Sequence, residues 1–231
     1  MLSAFLENPT EALIDLLLTL PGILLAVAAH ESAHGLMAYK LGDDTAKLSG
    51  RISLDPLKHV DLFGLAMLLV FHVGWAKPVN VNVRNFKKPK RDMCLTALAG
   101  PVCNLILSFF MLLFAHLFFL AYAANYLKFG STTFSTVLEV LTSIFQYAAV
   151  INIGLGVFNF IPFPPLDGWK VLGSFLPAKA YFTVMRFERY GMILLILLLM
   201  TGLLSIPLNA AVNWIYQIEG DAIAGIISLF A

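Results

Sequence analysis

Residues 30–34 read His30-Glu31-Ser32-Ala33-His34. On a helix, side chains four residues apart project from one face. Two imidazoles at this spacing can bind one zinc ion, and the adjacent Glu31 can take a proton from a water activated by the metal. A five-residue motif with two free positions also arises by chance, so its setting matters. The ten residues before His30 carry no charge and read as membrane helix. An ionisable group inside such a helix costs roughly 2.5 kcal/mol or more on insertion scales, which makes a purposeless glutamate expensive. A zinc site also needs a third protein ligand, which another part of the chain must supply.

The elements that would position these groups are those of a membrane protein. The chain has 231 residues, of which 59% are hydrophobic and 13% charged. Its mean hydropathy of +0.84 belongs to the polytopic membrane class. A net charge of +1 leaves no electrostatic footprint for nucleic acid. Cys94 and Cys103, nine residues apart in one expected helix, lie on opposite faces and are not expected to pair. Glu7, Glu11 and Asp15, with no basic residue before Lys40, argue against a signal peptide.

The fold class is a mainly α polytopic membrane protein with four transmembrane helices, read at 12–40, 93–124, 136–161 and 191–208. Residues 209–231 mix Trp214, Tyr216, Glu219 and Asp221 with apolar residues, and read as an interfacial amphipathic helix or a fifth span. Between the first two spans, a small membrane-associated β hairpin and a re-entrant segment are expected. The strand signals are Leu48, Ile52 and Leu54 on alternate positions, and the alternation Val79-Asn80-Val81-Asn82-Val83. The second of these could also pair with an extended substrate by strand addition. Residues 62–76 are apolar but short for a span, hence re-entrant, and they carry His72. The domain reading is one membrane-embedded unit over 1–231, with a core at 12–172, an extra span at 187–208 and the amphipathic segment at 209–231.

Basic residues crowd the loops at 40–58, 77–91 and 169–189, with Arg84, Lys87, Lys88, Lys90 and Arg91 forming the densest cluster. Four spans with the N-terminus outside place all three loops in the cytoplasm. The same topology brings His30, His34 and Asp167 to the cytoplasmic half of the membrane. Asp167 follows Pro162, Pro164 and Pro165 on a non-helical stretch that must be buried in protein or line a cavity. Taken alone it reads first as a capping aspartate at a helix start. On the second span, Thr96, Gly100, Asn104 and Ser108 recur every four residues, a stripe suited to close helix packing. Asn104 suits a bond to a neighbouring helix as well as a catalytic part.

These residues resemble the site-2 protease family of intramembrane zinc metalloproteases. The resemblance rests on His30-Glu31-Ser32-Ala33-His34, on Gly100-Pro101-Val102-Cys103-Asn104, on Asn159 to Gly168, and on the loop Gly50 to His59. It covers about residues 25–172. It implies one zinc held by His30, His34 and Asp167, with Glu31 as general base. It also implies that Asn159, with Asn104 or Asn152, steadies the substrate or an oxyanion. The implied substrate is a membrane protein cut within or near a transmembrane helix, and the implied location is a cell (cytoplasmic or inner) membrane. No stretch suits an inserted PDZ domain or a nucleotide-sensing domain, so the resemblance is to a minimal, core-only member. Leu62 after Asp61 departs from a proline common in the family's first loop.

Two other classes fit parts of the pattern. A divalent-metal transporter can carry a similar motif, but more acidic residues or histidines along other spans would be expected. A non-catalytic membrane binding protein would have no use for Glu31. Partners are the lipid bilayer and a membrane-protein substrate, with oligomeric state left open.

Overall fold

A computed structural model describes residues 7–61, 64, 77–177 and 188–229. Three long helices dominate: α1 (Pro9–Lys40), α3 (Pro89–Phe129) and α4 (Thr133–Asn159). All three are long and apolar enough to cross a membrane. The one-turn helix α2 (Thr45–Leu48) follows α1, and α5 (Asp167–Phe175), α6 (Glu188–Met200) and α7 (Ser205–Ser228) complete the order.

The distribution of side-chain size is that of a membrane bundle. Small residues fill the buried faces: Ala26, Ala28 and Ala29 on α1, Ala97 and Ala115 on α3, Ala148 and Ala149 on α4. Large apolar residues such as Leu17, Ile106, Phe110 and Val140 are exposed. In water this pattern is inverted; in lipid, helix association rests on close backbone approach rather than on hiding large apolar groups. Gly22 shows the approach directly. A Cβ there would stand 2.8 Å from the Ala148 Cα, so only glycine lets α1 and α4 meet at this point.

α1 remains one helix through Pro21, with Asn8 as N-cap accepting from the Glu11 amide. α3 runs to Phe129, and Thr132 caps α4 through a reciprocal box with Ser135, so the expected loop at 125–135 shrinks to about the residues between them.

The expected hairpin takes another form. No strand occurs among the described residues. Leu48 ends α2 instead of starting a strand, and Gly50 then turns the chain at φ +66°. Residues 77–82 lie in no helix or strand, and two of their amides are bound by carboxylates: Val79 N–H donates to Glu31 and Asn82 N–H to Asp43. With the Val79 and Asn82 donors taken by side chains, the alternating set a continuous ladder needs is broken. The re-entrant segment expected at 62–76, with His72, lies outside the described residues apart from Gly64.

The expected fourth span at 191–208 is interrupted. α6 ends at Met200, Gly202 adopts φ +71°, and α7 begins at Ser205. α7 starts ahead of the expected 209 and docks on α3 and α4, with Ile223 against Leu112 and Ala149 and Glu219 accepting from Ser108 Oγ at 2.7 Å.

Candidate active site

The histidines lie on the inner face of α1, and α3 crosses in front of them. Gly100 makes this crossing possible: a Cβ there would lie 2.5 Å from His34 Nε2 and 2.7 Å from His30 Cε1. Asp167 arrives from the other side. The turn at 160–166 leads into α5, and Gly168 packs so tightly on the Phe160 and Ile161 carbonyls that any side chain would clash. Asp167 opens α5, yet its carboxylate is spent on His30, His34 and Lys170 rather than on a cap.

The hydrogen bonds behind the rings define their tautomers. His34 Nδ1 lies 2.7 Å from the Thr96 carbonyl oxygen, and His30 Nδ1 lies 2.6 Å from Asn104 Oδ1. The Asn104 amide is oriented by its own donors, which reach the Ala26 carbonyl at 3.1 Å and Asn152 Oδ1 at 2.8 Å. Both histidine partners can only accept, so each Nδ1 carries the proton and each Nε2 presents a lone pair. The two Nε2 atoms lie 3.1 Å apart, and each is 3.0 Å from Asp167 Oδ2. Three buried acceptors thus converge with no donor among them, an arrangement that a cation relieves. Tetrahedral zinc with ligand bonds of 2.0–2.1 Å has ligand–ligand edges of about 3.3 Å, close to this triangle. Nitrogen and carboxylate donors in a site of this size fit zinc.

Glu31 stands beside this triangle, its Oε2 accepting the Val79 amide at 2.9 Å. Ser32 exchanges hydrogen bonds with the Ser53 backbone, which fastens the 49–60 loop to the motif helix. Asp43, fully buried, gathers Thr45, the Asn82 amide and Asn85, and so anchors the segment that carries Val79. A cavity of about 550 Å³ opens onto the site between α1, α4 and α6. Its walls are mostly apolar, with Val27, Leu155 and Leu195 among them, and Glu31, Asn159 and Lys170 face it.

The sequence-derived residues divide accordingly. His30, His34 and Asp167 meet, with Glu31 next to them. Asn159 lines the cavity and spends one amide hydrogen on the Leu155 carbonyl. Asn104 and Asn152 sit away from the cavity: both are fully buried, and Asn104 has both amide hydrogens committed. Asn152 accepts from Asn104 and donates to the Ala148 carbonyl. They form a relay behind His30, which leaves Asn104 no donor for an oxyanion. His116 binds the Leu112 carbonyl of its own helix. The Thr96 carbonyl and the Val79 amide left no trace in the sequence, because any residue supplies those atoms. Lys170, whose Nζ lies 2.9 Å from Asp167 Oδ1, was legible as a cation three residues from a helical aspartate.

An apolar helical chain that gathers two imidazole lone pairs, a carboxylate oxygen and a glutamate beside one cavity has the site of a metal-dependent hydrolase set among membrane helices. The profile of Peptidase family M50 matches residues 18–202. The chain belongs to this family, the site-2 proteases, and is a metalloprotease. It is 39% identical over 213 residues to "Putative zinc metalloprotease YwhC" of Bacillus subtilis (strain 168), covering 91% of this chain and 89% of that protein. It is 24% identical over 208 residues to the protein of the same description named Rip2 in Mycolicibacterium smegmatis (strain ATCC 700084 / mc(2)155), covering 88% of this chain and 74% of that one. The Rip2 of Mycobacterium tuberculosis (strain ATCC 25618 / H37Rv) is likewise 24% identical, over 207 residues. No solved structure matches the chain.

Proposed function

We propose that the protein is an intramembrane zinc metalloprotease, one membrane-embedded domain over 1–231 that hydrolyses peptide bonds within or near transmembrane segments of membrane-protein substrates. The observation that carries this reading is the meeting of His30 Nε2, His34 Nε2 and Asp167 Oδ2 beside Glu31, in an apolar cavity between helices of spanning length.

The three atoms of the triangle would hold the zinc, which when bound supplies Lewis acidity to a water and to the scissile carbonyl. Glu31 takes the proton from the attacking water and returns it to the leaving amine. The Val79 amide fixes one carboxylate oxygen of Glu31, leaving the other for this transfer. Asn159, which lines the cavity and gives one amide hydrogen to the Leu155 carbonyl, is the residue we assign to steadying the developing oxyanion. A helical peptide bond is shielded by its own hydrogen bonds, so the substrate must be extended locally. Val79 and Val81 line the cavity, and the Val81 amide is the one this stretch would offer such a substrate by strand addition.

The three long helices alone support the topology. With the N-terminus outside, crossings by α1, α3 and α4 leave the basic loops at 40–58, 77–91 and 169–189 on the cytoplasmic side, with the site in that half of the membrane. The fourth crossing of the sequence reading, begun by α6, would return the chain outward.

The test is cleavage of a panel of single-span substrates by purified protein in detergent, beside Glu31→Gln, with metal measured on both. Wild type is expected to cut and Glu31→Gln to be at least about 10²-fold slower, each holding about one zinc per chain. A Glu31→Gln protein that cuts as well as wild type overturns the mechanism.

A further inference from the structure

Asp167 has two oxygens, and the structure gives them different partners. Oδ2 completes the triangle with the two Nε2 atoms, at 3.0 Å from each. Oδ1 pairs with Lys170 Nζ at 2.9 Å. The two residues sit three apart on α5, so one helical turn delivers the ammonium to the carboxylate. Asp167 is buried, whereas Lys170 keeps 39% of its side chain exposed and lines the cavity. The cation therefore reaches in from the cavity to the far side of a buried carboxylate whose near side faces the two histidines.

We infer that Lys170 is a positioning residue that holds Asp167 to a single ligating oxygen. The inference rests on the metal-site reading above. A carboxylate can bind a metal through one oxygen or two, and the second mode raises the coordination number. With Oδ1 occupied by Lys170, Asp167 offers only Oδ2. His30, His34 and Asp167 then supply three ligand atoms, and the fourth position of a tetrahedral ion stays open, as a catalytic site requires. Without the ammonium, Oδ1 is free to turn onto the metal. Groups that hold ligands from behind typically change metal affinity by about 10–100-fold when removed. Lys170 is the counterpart, on the carboxylate, of what Asn104 and the Thr96 carbonyl do for the histidines.

The experiment uses full-length protein in detergent, stripped of metal and loaded with Co²⁺, whose visible absorption is intense in four-coordinate sites and weak at higher coordination. Wild type, Lys170→Met and Lys170→Arg are compared by spectrum and by Co²⁺ and Zn²⁺ affinity against a competing chelator. Lys170→Met is expected to lose visible intensity and about 10–100-fold in affinity. Lys170→Arg, which keeps a donor cation, is expected to restore the spectrum in large part. A Lys170→Met protein with the wild-type spectrum and affinity overturns the positioning role while leaving the metal centre standing. Wild-type protein that takes up neither ion overturns the metal centre and this inference with it. Lys170→Arg behaving like Lys170→Met, with α-helical content unchanged in both, overturns the role of the charge.

Discussion

His30 Nδ1 donates to Asn104 Oδ1 across 2.6 Å, and this contact decides what Asn104 does. The amide that the motif offers to a substrate is turned instead to the back of a histidine, with Asn152 holding it in place. Asn104→Ala frees the His30 ring to rotate and orphans the donor on Nδ1. It is expected to weaken zinc binding by about 10–100-fold, measured by chelator competition. The substrate KM measured at saturating zinc is expected to stay near wild type, which separates ring positioning from substrate contact.

The Val79 amide gives Glu31 its orientation, and only a residue without an N–H tests it. Val79→Pro follows the existing Pro78 in a stretch outside any helix or strand, where proline removes the N–H without breaking a helix. A hydrogen bond to a charged acceptor is worth about 1.5–3 kcal/mol, so kcat is expected to fall by roughly 10–100-fold. Zinc content is expected to stay unchanged, and Val79→Ala, which keeps the amide, to cut near the wild-type rate. Val81→Pro probes the edge itself and is expected to impair cleavage with zinc retained. Loss of zinc from Val81→Pro would make the segment a structural support instead.

Gly100 leaves no room for a methyl group in front of the two rings. Gly100→Ala is expected to abolish zinc binding and cleavage together. Circular dichroism is expected to show α-helical content retained, since alanine is the better helix former. Zinc retained at wild-type stoichiometry would mean that α3 can retreat from α1.

Asp43 links the end of α1 to the segment carrying Val79, and its titration fixes a pH window. Burial pushes its carboxyl upward, but hydrogen bonds from Thr45, the Asn82 amide and Asn85 outweigh this and hold it below the usual carboxylate range. A carboxyl depressed in the folded state contributes stability above its unfolded value, about 3.9. That contribution is lost as pH falls through the lower folded value. At neutral pH, Asp43→Ala is expected to reduce amide-exchange protection at Asn82 roughly tenfold or more, the worth of one charged hydrogen bond. Below the folded value the two proteins are expected to converge. Equal protection at neutral pH would remove Asp43 as the anchor.

What the sequence determined by itself is local or compositional. His30, Glu31 and His34 share one helical turn, so the period of the helix alone puts them together. The three long apolar helices follow from runs of residues long and apolar enough to cross a membrane. Asp167 entered through the resemblance and the topology, since it lies 137 residues from His30 and no periodicity connects them. Tertiary structure alone decided how the groups are used. Which nitrogen of each histidine faces the centre depends on the Thr96 carbonyl and on Asn104, at 62 and 74 residues' distance. The alternation at 79–83 predicts a strand, but a strand needs a partner, and here the amides of Val79 and Asn82 found carboxylates on and after α1 first. The apolar run at 191–208 predicts one span, whereas Gly202 turns the chain within it. A pattern of residue types records what a segment can bury. It does not record which backbone carbonyl, amide or glycine gap another helix will bring to it, because those atoms are common to every residue.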